Sequence, residues 1–250
     1  QPVRVDERIF FATTHRSGTV YALDLTRGRR LWSRSLDART AGGIAWADGM
    51  LYVPTDRGEL LALDAQNGNV IWRARLGAVT TQAPLVLQDE LVLATARDSL
   101  LRVARRDGAI RARTAIAGQV TAPLVAVGDT LLLATSQGVI AAYAERGARE
   151  LWRQDLGAPV LAAPVPTPDG VYALNRSAEL FRIRNGTASR VAALGGAATE
   201  SLSVAANGVL VGRLDGTLLF VGHDGAVRWQ QKLQGSLRAP ALVHGSAVYA

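Results

Sequence analysis

The stretch GTVYALDLTRGRRLW, residues 18–32, recurs along the chain and decides the fold. It returns as GELLALDAQNGNVIW at 58–72 and as GVIAAYAERGARELW at 138–152, so the closing tryptophans lie 40 and then 80 positions apart. Two eroded copies are SLLRVARRDGAIRA at 99–112 and AELFRIRNGTASRV at 178–191, and a weaker copy that keeps its tryptophan is GTLLFVGHDGAVRW at 216–229. A period near 40 residues that carries several short strands is typical of a β-propeller.

Each repeat predicts four short strands, A to D. In the second repeat we expect strand A near 43–47, B at 50–54, C at 59–64 and D at 69–75. Asn67-Gly68 between C and D indicates a tight hairpin, where glycine permits a positive φ. The tryptophan of strand D is expected to pack between adjacent sheets. The predicted fold class is all-β, a propeller of four-stranded antiparallel blades.

A second recurring phrase marks the start of strand A, as in APLVLQDELVLAT at 83–95 and APLVAVGDTLLLAT at 122–135. Proline lacks a backbone donor and therefore suits the first position of a strand. The register gives repeat starts at 2, 43, 84, 123, 164, 201 and 240. We expect one propeller domain over residues 1–250, with six complete repeats and a partial seventh. Either the sequence is a fragment of a longer chain with seven or eight blades, which we favour, or the ring closes over a half blade.

Composition narrows the class of protein. The 250 residues are 48% hydrophobic, which is enough for a large core, and they contain no cysteine for disulfides or thiolate metal sites. The net charge of +7 comes from arginine, since Lys232 is the only lysine. These arginines are spread over the repeats and only 6% of residues are aromatic, so we predict no nucleic-acid partner. No apolar run is long enough to span a membrane, and we expect membrane association only through an anchor outside this chain.

The sequence offers no set of catalytic or metal-binding residues. His15, His223 and His244 are scattered without metal-ligand spacing. Glu200, at the entry of an A strand, is more typical of a solvated rim residue than of a ligand. We therefore predict no enzyme activity, no catalytic residues, no metal and no cofactor.

The repeat resembles the quinoprotein-type (PQQ-like) propeller repeat, in which G-x-L-Y-A-L-D, a turn glycine and a final Trp recur once per blade. Asp24 and Asp64 match the family's Asp, whereas Ala112 and Val191 replace the Trp in two copies. The resemblance implies one of three uses. These are a BamB-like lipoprotein scaffold for inserting β-barrel proteins into the outer membrane, a sensor or interaction propeller of a larger receptor or kinase, and a quinone-dependent dehydrogenase.

We favour the BamB-like scaffold, located in the periplasm or otherwise outside the cytoplasm, and associated with the outer membrane if lipidated upstream. The receptor propeller is the alternative. The dehydrogenase comes third, because many of those enzymes cover the quinone with a vicinal disulfide and hold calcium with oxygen ligands that are scarce here.

The loops suggest where a protein partner docks. In a four-stranded meander the B–C and D–A connections share one end of the sheet, and the A–B and C–D turns share the other. Arginines recur in the first set, at Arg16, Arg57, Arg97, Arg176, Arg213, Arg39 and Arg238. Acidic residues recur in the A–B turns, at Asp6, Glu7, Asp48, Asp89, Glu90, Asp129 and Asp169, and the C–D turns are expected to project Arg27, Arg105, Arg106 and Arg146 beside them.

We hypothesise that the arginines of the B–C and D–A connections bind an acidic peptide or partner loop, such as one from a β-barrel assembly component, through bidentate hydrogen bonds. The alternative interpretation is that both charge sets are ordinary solvated turn residues, repeated because the repeats share ancestry.

Overall fold

The computed structural model describes residues 2–14, 17–80, 82–146, 149–244 and 247–250. These residues form 26 strands in six four-stranded sheets and one two-stranded sheet. In every sheet, strands adjacent in sequence are hydrogen-bonded neighbours and run antiparallel. The predicted all-β class, with six complete repeats and a partial seventh, is confirmed over the described residues.

The chain divides into two compact units, of which the first covers Gln1–Val120 and holds sheets 1 to 3. Sheet 1 consists of β1 (Val3–Val5), β2 (Arg8–Ala12), β3 (Thr19–Asp24) and β4 (Arg30–Ser35). Sheet 2 consists of β5 (Ala45–Ala47), β6 (Met50–Pro54), β7 (Glu59–Asp64) and β8 (Val70–Arg75). Sheet 3 consists of β9 (Leu85–Val86), β10 (Glu90–Thr95), β11 (Ser99–Ala104) and β12 (Ile110–Ala115).

The second unit covers Thr121–Ala250 and holds sheets 4 to 7. Sheet 4 consists of β13 (Val125–Val127), β14 (Thr130–Ala134), β15 (Val139–Ala144) and β16 (Glu150–Asp155). Sheet 5 consists of β17 (Val165–Thr167), β18 (Gly170–Leu174), β19 (Glu179–Arg184) and β20 (Thr187–Ala193). Sheet 6 consists of β21 (Ala198–Ala205), β22 (Gly208–Arg213), β23 (Thr217–Gly222) and β24 (Val227–Lys232). Sheet 7 consists of β25 (Leu242–His244) and β26 (Ala247–Tyr249). The prediction of one domain over residues 1–250 stays a prediction.

The B and C strands form the core because they are buried on both faces. In β6 and β7 the side chains of Leu51, Tyr52, Val53 and Leu60 are fully buried. Neighbouring sheets within a unit pack through such residues, as where Phe10 of sheet 1 and Leu61 of sheet 2 share one cluster. Similar clusters join sheets 2 and 3, sheets 4 and 5, sheets 5 and 6, and sheets 6 and 7. A meander alone cannot cover both of its faces, so the sheets must stack.

Trp32 and Trp72 of strand D dock onto the C–D turn of the next sheet, which agrees with the predicted packing between adjacent sheets. Trp32 Nε1 donates to the carbonyl of Ala65 (3.1 Å), and Trp72 Nε1 donates to the carbonyl of Arg105 (2.9 Å). Gly68 lies against Trp32, at φ +74, and a Cβ there would be only 2.7 Å from Trp32 Cε3. The turn therefore requires glycine both for its backbone conformation and for the indole.

Candidate protein-docking site on the arginine-bearing loops

In sheets 2, 3, 5 and 6 the B–C connection lies beside the D–A connection that enters the same sheet. Four backbone hydrogen bonds hold these pairs together: Asp56 N to Arg39 O (2.8 Å), Ala96 N to Val79 O (2.8 Å), Arg176 N to Pro159 O (2.7 Å) and Leu214 N to Ala197 O (2.9 Å). The predicted grouping of these loops is thus confirmed within each unit. We call the B–C and D–A connections the arginine-bearing loops.

The A–B and C–D turns meet at the other end of sheets 1 to 4, and we call these turns, with those of sheets 5 and 6, the opposite loops. The bonds that join them are Leu25 N to Glu7 O (2.7 Å), Ala65 N to Gly49 O (2.8 Å), Arg105 N to Asp89 O (3.0 Å) and Glu145 N to Asp129 O (2.7 Å). The two charge sets expected from the sequence therefore lie at different ends of their own sheets.

Three of the predicted arginines are exposed and have side chains without a partner among the described residues. Arg57 and Arg97 lie on B–C connections of the first unit, and Arg176 lies on a B–C connection of the second. Their side chains make no ion pair or hydrogen bond with any residue that the structure describes. A guanidinium presents five donors in a planar fork, so all three are available to carboxylates from outside.

Two other predicted arginines are held by neighbouring carboxylates. Arg39 Nε donates to Asp56 Oδ2 at 2.9 Å. Arg213 is the last residue of β22, and its Nη2 lies 2.9 Å from Asp215 Oδ2. The backbone N–H of Thr217 is the main cause that lowers the pKa of Asp215, with a smaller contribution from Arg213. The remaining prediction on the first sheet, Arg16, lies outside the described residues.

A pocket of about 280 Å³ in the second unit brings two predicted arginines to one place. Arg176 and Arg238 line it together with Glu200, and Arg238 Nε also donates to Ser236 Oγ (3.2 Å). The rest of the lining is largely apolar and consists of Leu161, Ala197, Ala198, Thr199 and Leu214. Two guanidinium groups beside an apolar surface suit a peptide with an acidic residue next to an apolar one.

The sequence prediction missed the apolar part of this pocket. Leu214 is 52% exposed, although it is a large hydrophobic residue on a B–C connection. The corresponding connection of sheet 2 carries Asp56 and Arg57. A leucine in a turn that is otherwise polar was the available signal for this surface.

The expectation that Arg105 projects from an exposed turn is wrong. Only 8% of Arg105 is exposed, and its Nη2 lies 2.5 Å from Asp48 Oδ2 of the neighbouring sheet. Its Nε donates to the hydroxyl of Tyr52 (3.2 Å), and its Nη1 donates to the carbonyls of Leu87 (3.3 Å) and Gln88. Burial opposes the charge, but the bonds to Tyr52 and Asp48 outweigh it and raise the pKa of Arg105. These partners draw the side chain inward.

Other acidic residues of the opposite loops are paired as well. Arg102 lies 2.6 Å from Glu90, and Arg182 lies 2.8 Å from Asp169. Asp48, Glu90 and Asp169 of the opposite loops are thus paired with arginines, whereas Arg57, Arg97 and Arg176 on the arginine-bearing loops stay unpaired among the described residues.

The described residues also bear on metal sites and on membrane-spanning helices. Over the described ranges, no three His, Asp or Glu side chains come together as a possible metal site. The nitrogen Nδ1 of His223 is hydrogen-bonded to the hydroxyl of Tyr172 at 3.1 Å, and His15 lies outside those ranges. In the same ranges, no helix has the length and apolar character needed to cross a membrane.

Solved structures identify the class of fold. The chain matches BamB from Moraxella catarrhalis with a TM-score of 0.72 at 17% identity, covering 98% of this chain and 90% of that one. It matches the computationally designed Ika8 protein with a TM-score of 0.83 at 16% identity, covering 99% of this chain and 78% of that one. Likeness at these identities concerns the fold alone, and it confirms the predicted β-propeller.

Sequence comparison identifies the family. Residues 16–111 and 97–196 match the family described as outer membrane protein assembly factor BamB. Together the two matches span most of the 250 residues, so the chain belongs to this family. The expected relationship to BamB-like PQQ-repeat proteins is confirmed. A search of curated proteins found no match.

Proposed function

We propose that this chain is a non-catalytic interaction scaffold that assists the assembly of β-barrel proteins in the outer membrane and works in the periplasm. Membership in the BamB family supports the assembly role. The observation that supports the docking site is that Arg57, Arg97 and Arg176 on the arginine-bearing loops are exposed and have no partner in the described part of the chain. Arg238 extends the set in the second unit, where it shares a pocket with Arg176.

The partner is an acidic loop or peptide of a barrel-assembly component. A carboxylate that meets Arg176 or Arg238 gains a charge-assisted, bidentate hydrogen bond, which is stronger than a neutral one. Leu161 and Leu214 in the same pocket favour an apolar side chain next to that carboxylate. We expect the charges to accelerate association and the apolar contact to slow dissociation.

Binding measurements test this site. The double variant R176A/R238A removes two charges from the pocket, and the matched control R146A/R149A removes two charges from the C–D turn of sheet 4, in the same unit. With a purified barrel-assembly component of the host organism, we expect R176A/R238A to bind about three- to tenfold more weakly at low salt. The difference should shrink as salt rises, since screening weakens exposed charge pairs. Equal affinity of the two double variants would contradict the proposed site.

A cellular experiment tests the assembly role itself. Deleting the gene should lower the amount of β-barrel protein in the outer membrane, measured by quantitative proteomics of membrane fractions. R146A/R149A should restore that amount, whereas R176A/R238A should restore less of it. An unchanged β-barrel content after deletion would refute the assembly role, even if the arginines bind an acidic peptide in vitro.

A further inference from the structure

A cleft of about 650 Å³ opens between sheets 4 and 5, at the end formed by the opposite loops. Its apolar lining includes Val127, Leu132, Trp152, Pro166, Val171 and Ile183. The carboxylate at its mouth, Asp169, is already paired with Arg182 and Arg184. We call this the Trp152 cleft. Asp169 and Arg184 in its lining neutralise one another, and its walls combine these apolar side chains with the polar groups of Thr130, Thr167 and Asn185.

The corresponding place between sheets 1 and 2 is partly filled by the chain itself. There Trp32 Nε1 donates to the carbonyl of Ala65, in the C–D turn of sheet 2 (3.1 Å). The cavity that remains has about 290 Å³ and is lined by Trp46 and Arg8 among others. The turn thus satisfies the indole N–H and covers it.

Between sheets 2 and 3 the chain fills the corresponding space with both a backbone carbonyl and a side chain. Trp72 Nε1 donates to the carbonyl of Arg105 (2.9 Å), and the side chain of the same arginine enters between the sheets to reach Tyr52 (3.2 Å) and Asp48. In sheets 2 and 3, therefore, the residue directly after strand C offers its backbone carbonyl to the indole N–H of the preceding sheet.

In sheet 5 the turn that follows strand C is shorter, and it meets Trp152 through Gly186, where a Cβ would lie 3.1 Å from Cδ1 of the indole. Only Asn185 and Gly186 link its C and D strands, whereas residues 65–69 link those strands in sheet 2. Pro166 stands where sheet 2 has Trp46, because Pro166 pairs with Val171 as Trp46 pairs with Leu51. The Trp152 indole N–H consequently has no hydrogen-bond partner among the described residues.

We propose that the Trp152 cleft binds a loop of another polypeptide, which supplies a backbone carbonyl to the Trp152 indole N–H and inserts an apolar side chain between sheets 4 and 5. The site lies on the opposite loops and is separate from the arginine-bearing loops. At this site the partner supplies the backbone carbonyl that Ala65 and Arg105 supply to Trp32 and Trp72 from within the chain.

The lining selects an apolar side chain over an arginine. Leu132 pairs with Val125 and Ala142 in sheet 4, and it occupies the register of Tyr52 in sheet 2. The Tyr52 hydroxyl, which accepts a hydrogen bond from Arg105 between sheets 2 and 3, is therefore replaced by the hydrocarbon side chain of Leu132 between sheets 4 and 5. A buried guanidinium without such acceptors is strongly disfavoured, whereas an apolar side chain gains free energy from burial. An indole N–H in an apolar cleft is satisfied by a carbonyl.

Indole N–H signals of the ¹⁵N-labelled 250-residue chain test the proposal, with Trp152 assigned by the variant W152F. In the free protein the Trp152 N–H should exchange with water faster than those of Trp32 and Trp72. Titration with acetyl-Gly-Leu-Gly-amide should shift the Trp152 signal to saturation and leave the Trp32 signal in place. Acetyl-Gly-Asp-Gly-amide should bind at least about fivefold more weakly, because the cleft excludes an unpaired carboxylate.

Two variants separate the cleft from other sites. P166W places in sheet 5 the tryptophan that sheet 2 has at this register, and it should weaken binding of the leucine peptide at least about fivefold by filling the cleft. W152F keeps an aromatic ring but removes the donor, and it should also weaken binding, followed on the peptide's own leucine methyl signals. W229F, the same change at an exposed tryptophan, should leave binding unaltered.

Three results would overturn the proposal. One is a Trp152 signal that does not move up to the solubility limit of the leucine peptide. Another is a slowly exchanging Trp152 N–H in the free protein, since the donor would then already have a partner. The third is equal binding of n-butanol and the leucine peptide, because the cleft would then recognise hydrocarbon without a backbone carbonyl.

Discussion

Replacing Gly68 by alanine tests how tightly the repeats interlock. Two costs add at this position. Alanine at φ +74 is strained by about 1 kcal/mol. Its Cβ would also lie 2.7 Å from Trp32 Cε3, far inside the usual contact distance, and such overpacking costs about 1–3 kcal/mol. We therefore expect G68A to lower the free energy of unfolding by about 2–4 kcal/mol.

Gly28 is the matched control. It occupies the same C–D turn in sheet 1, at φ +63, but nothing lies within 4 Å of a Cβ built there. G28A should therefore cost only the backbone strain, about 1 kcal/mol. The difference between the two variants isolates the contact with the indole.

A double-mutant cycle with W32A completes the test. W32A alone should cost about 3–5 kcal/mol, since it leaves a cavity and removes the bond to Ala65. In that background G68A should cost only about 1 kcal/mol, because the clashing ring is gone. Urea unfolding at 25 °C, followed by far-ultraviolet circular dichroism, measures all four proteins. Equal costs of G28A and G68A, or an undiminished cost of G68A beside W32A, would refute the interlock.

Three further changes have distinct expected outcomes. Trp72→Ala should cost about 3–5 kcal/mol in urea unfolding, whereas Trp229→Ala, at a side chain that is 41% exposed, should cost less than about 2 kcal/mol. Arg105→Ala should lower stability by about 1–3 kcal/mol, because it leaves the hydroxyl of the buried Tyr52 and the carbonyl of Leu87 without their donor, whereas the carboxylate of Asp48 is exposed and regains water. The pKa of Glu179 is lowered, first by the amide of Asn175 and then by a neighbouring guanidinium, so its stabilisation exists above the ordinary pKa of 4.5 and is lost as the pH falls through the lowered value. Glu179→Gln should therefore lower the thermal midpoint at neutral pH and have little effect in strong acid.

Much of the fold follows from local sequence signals. The predicted B and C strands of the second repeat, 50–54 and 59–64, coincide at both ends with β6 and β7. Their ends are marked by turn residues that are adjacent in sequence, and a meander pairs neighbouring strands only. The grouping of loops at the two ends of a sheet follows from the same topology. Local pattern is sufficient where the contacts themselves are local.

The sequence predicted the packing of strand-D tryptophans between sheets, but not the polar contacts that join one sheet to the next. The burial of Arg105 depends on Tyr52 and Asp48, which are 53 and 57 positions away. A turn arginine looks the same in sequence whether it meets such partners or water. The Trp152 cleft was missed for a related reason. The short C–D turn of sheet 5 looks in sequence like an ordinary hairpin, and the indole N–H that it leaves without a partner among the described residues belongs to sheet 4.

Whether an arginine is already paired also predicts how much it contributes to the affinity for an acidic partner. When a partner carboxylate approaches Arg39, it must displace Asp56, so one ion pair is exchanged for another and little free energy is gained. Arg57 has no such bond to break among the described residues. R39A should therefore leave the affinity for an acidic partner nearly unchanged, whereas R57A should weaken it by about two- to fivefold at low salt. Both changes remove one charge from adjoining loops of sheet 2, so net charge alone predicts equal effects. Titration calorimetry in low salt decides between the two accounts, and equal losses would mean that long-range charge, rather than an available guanidinium, governs docking.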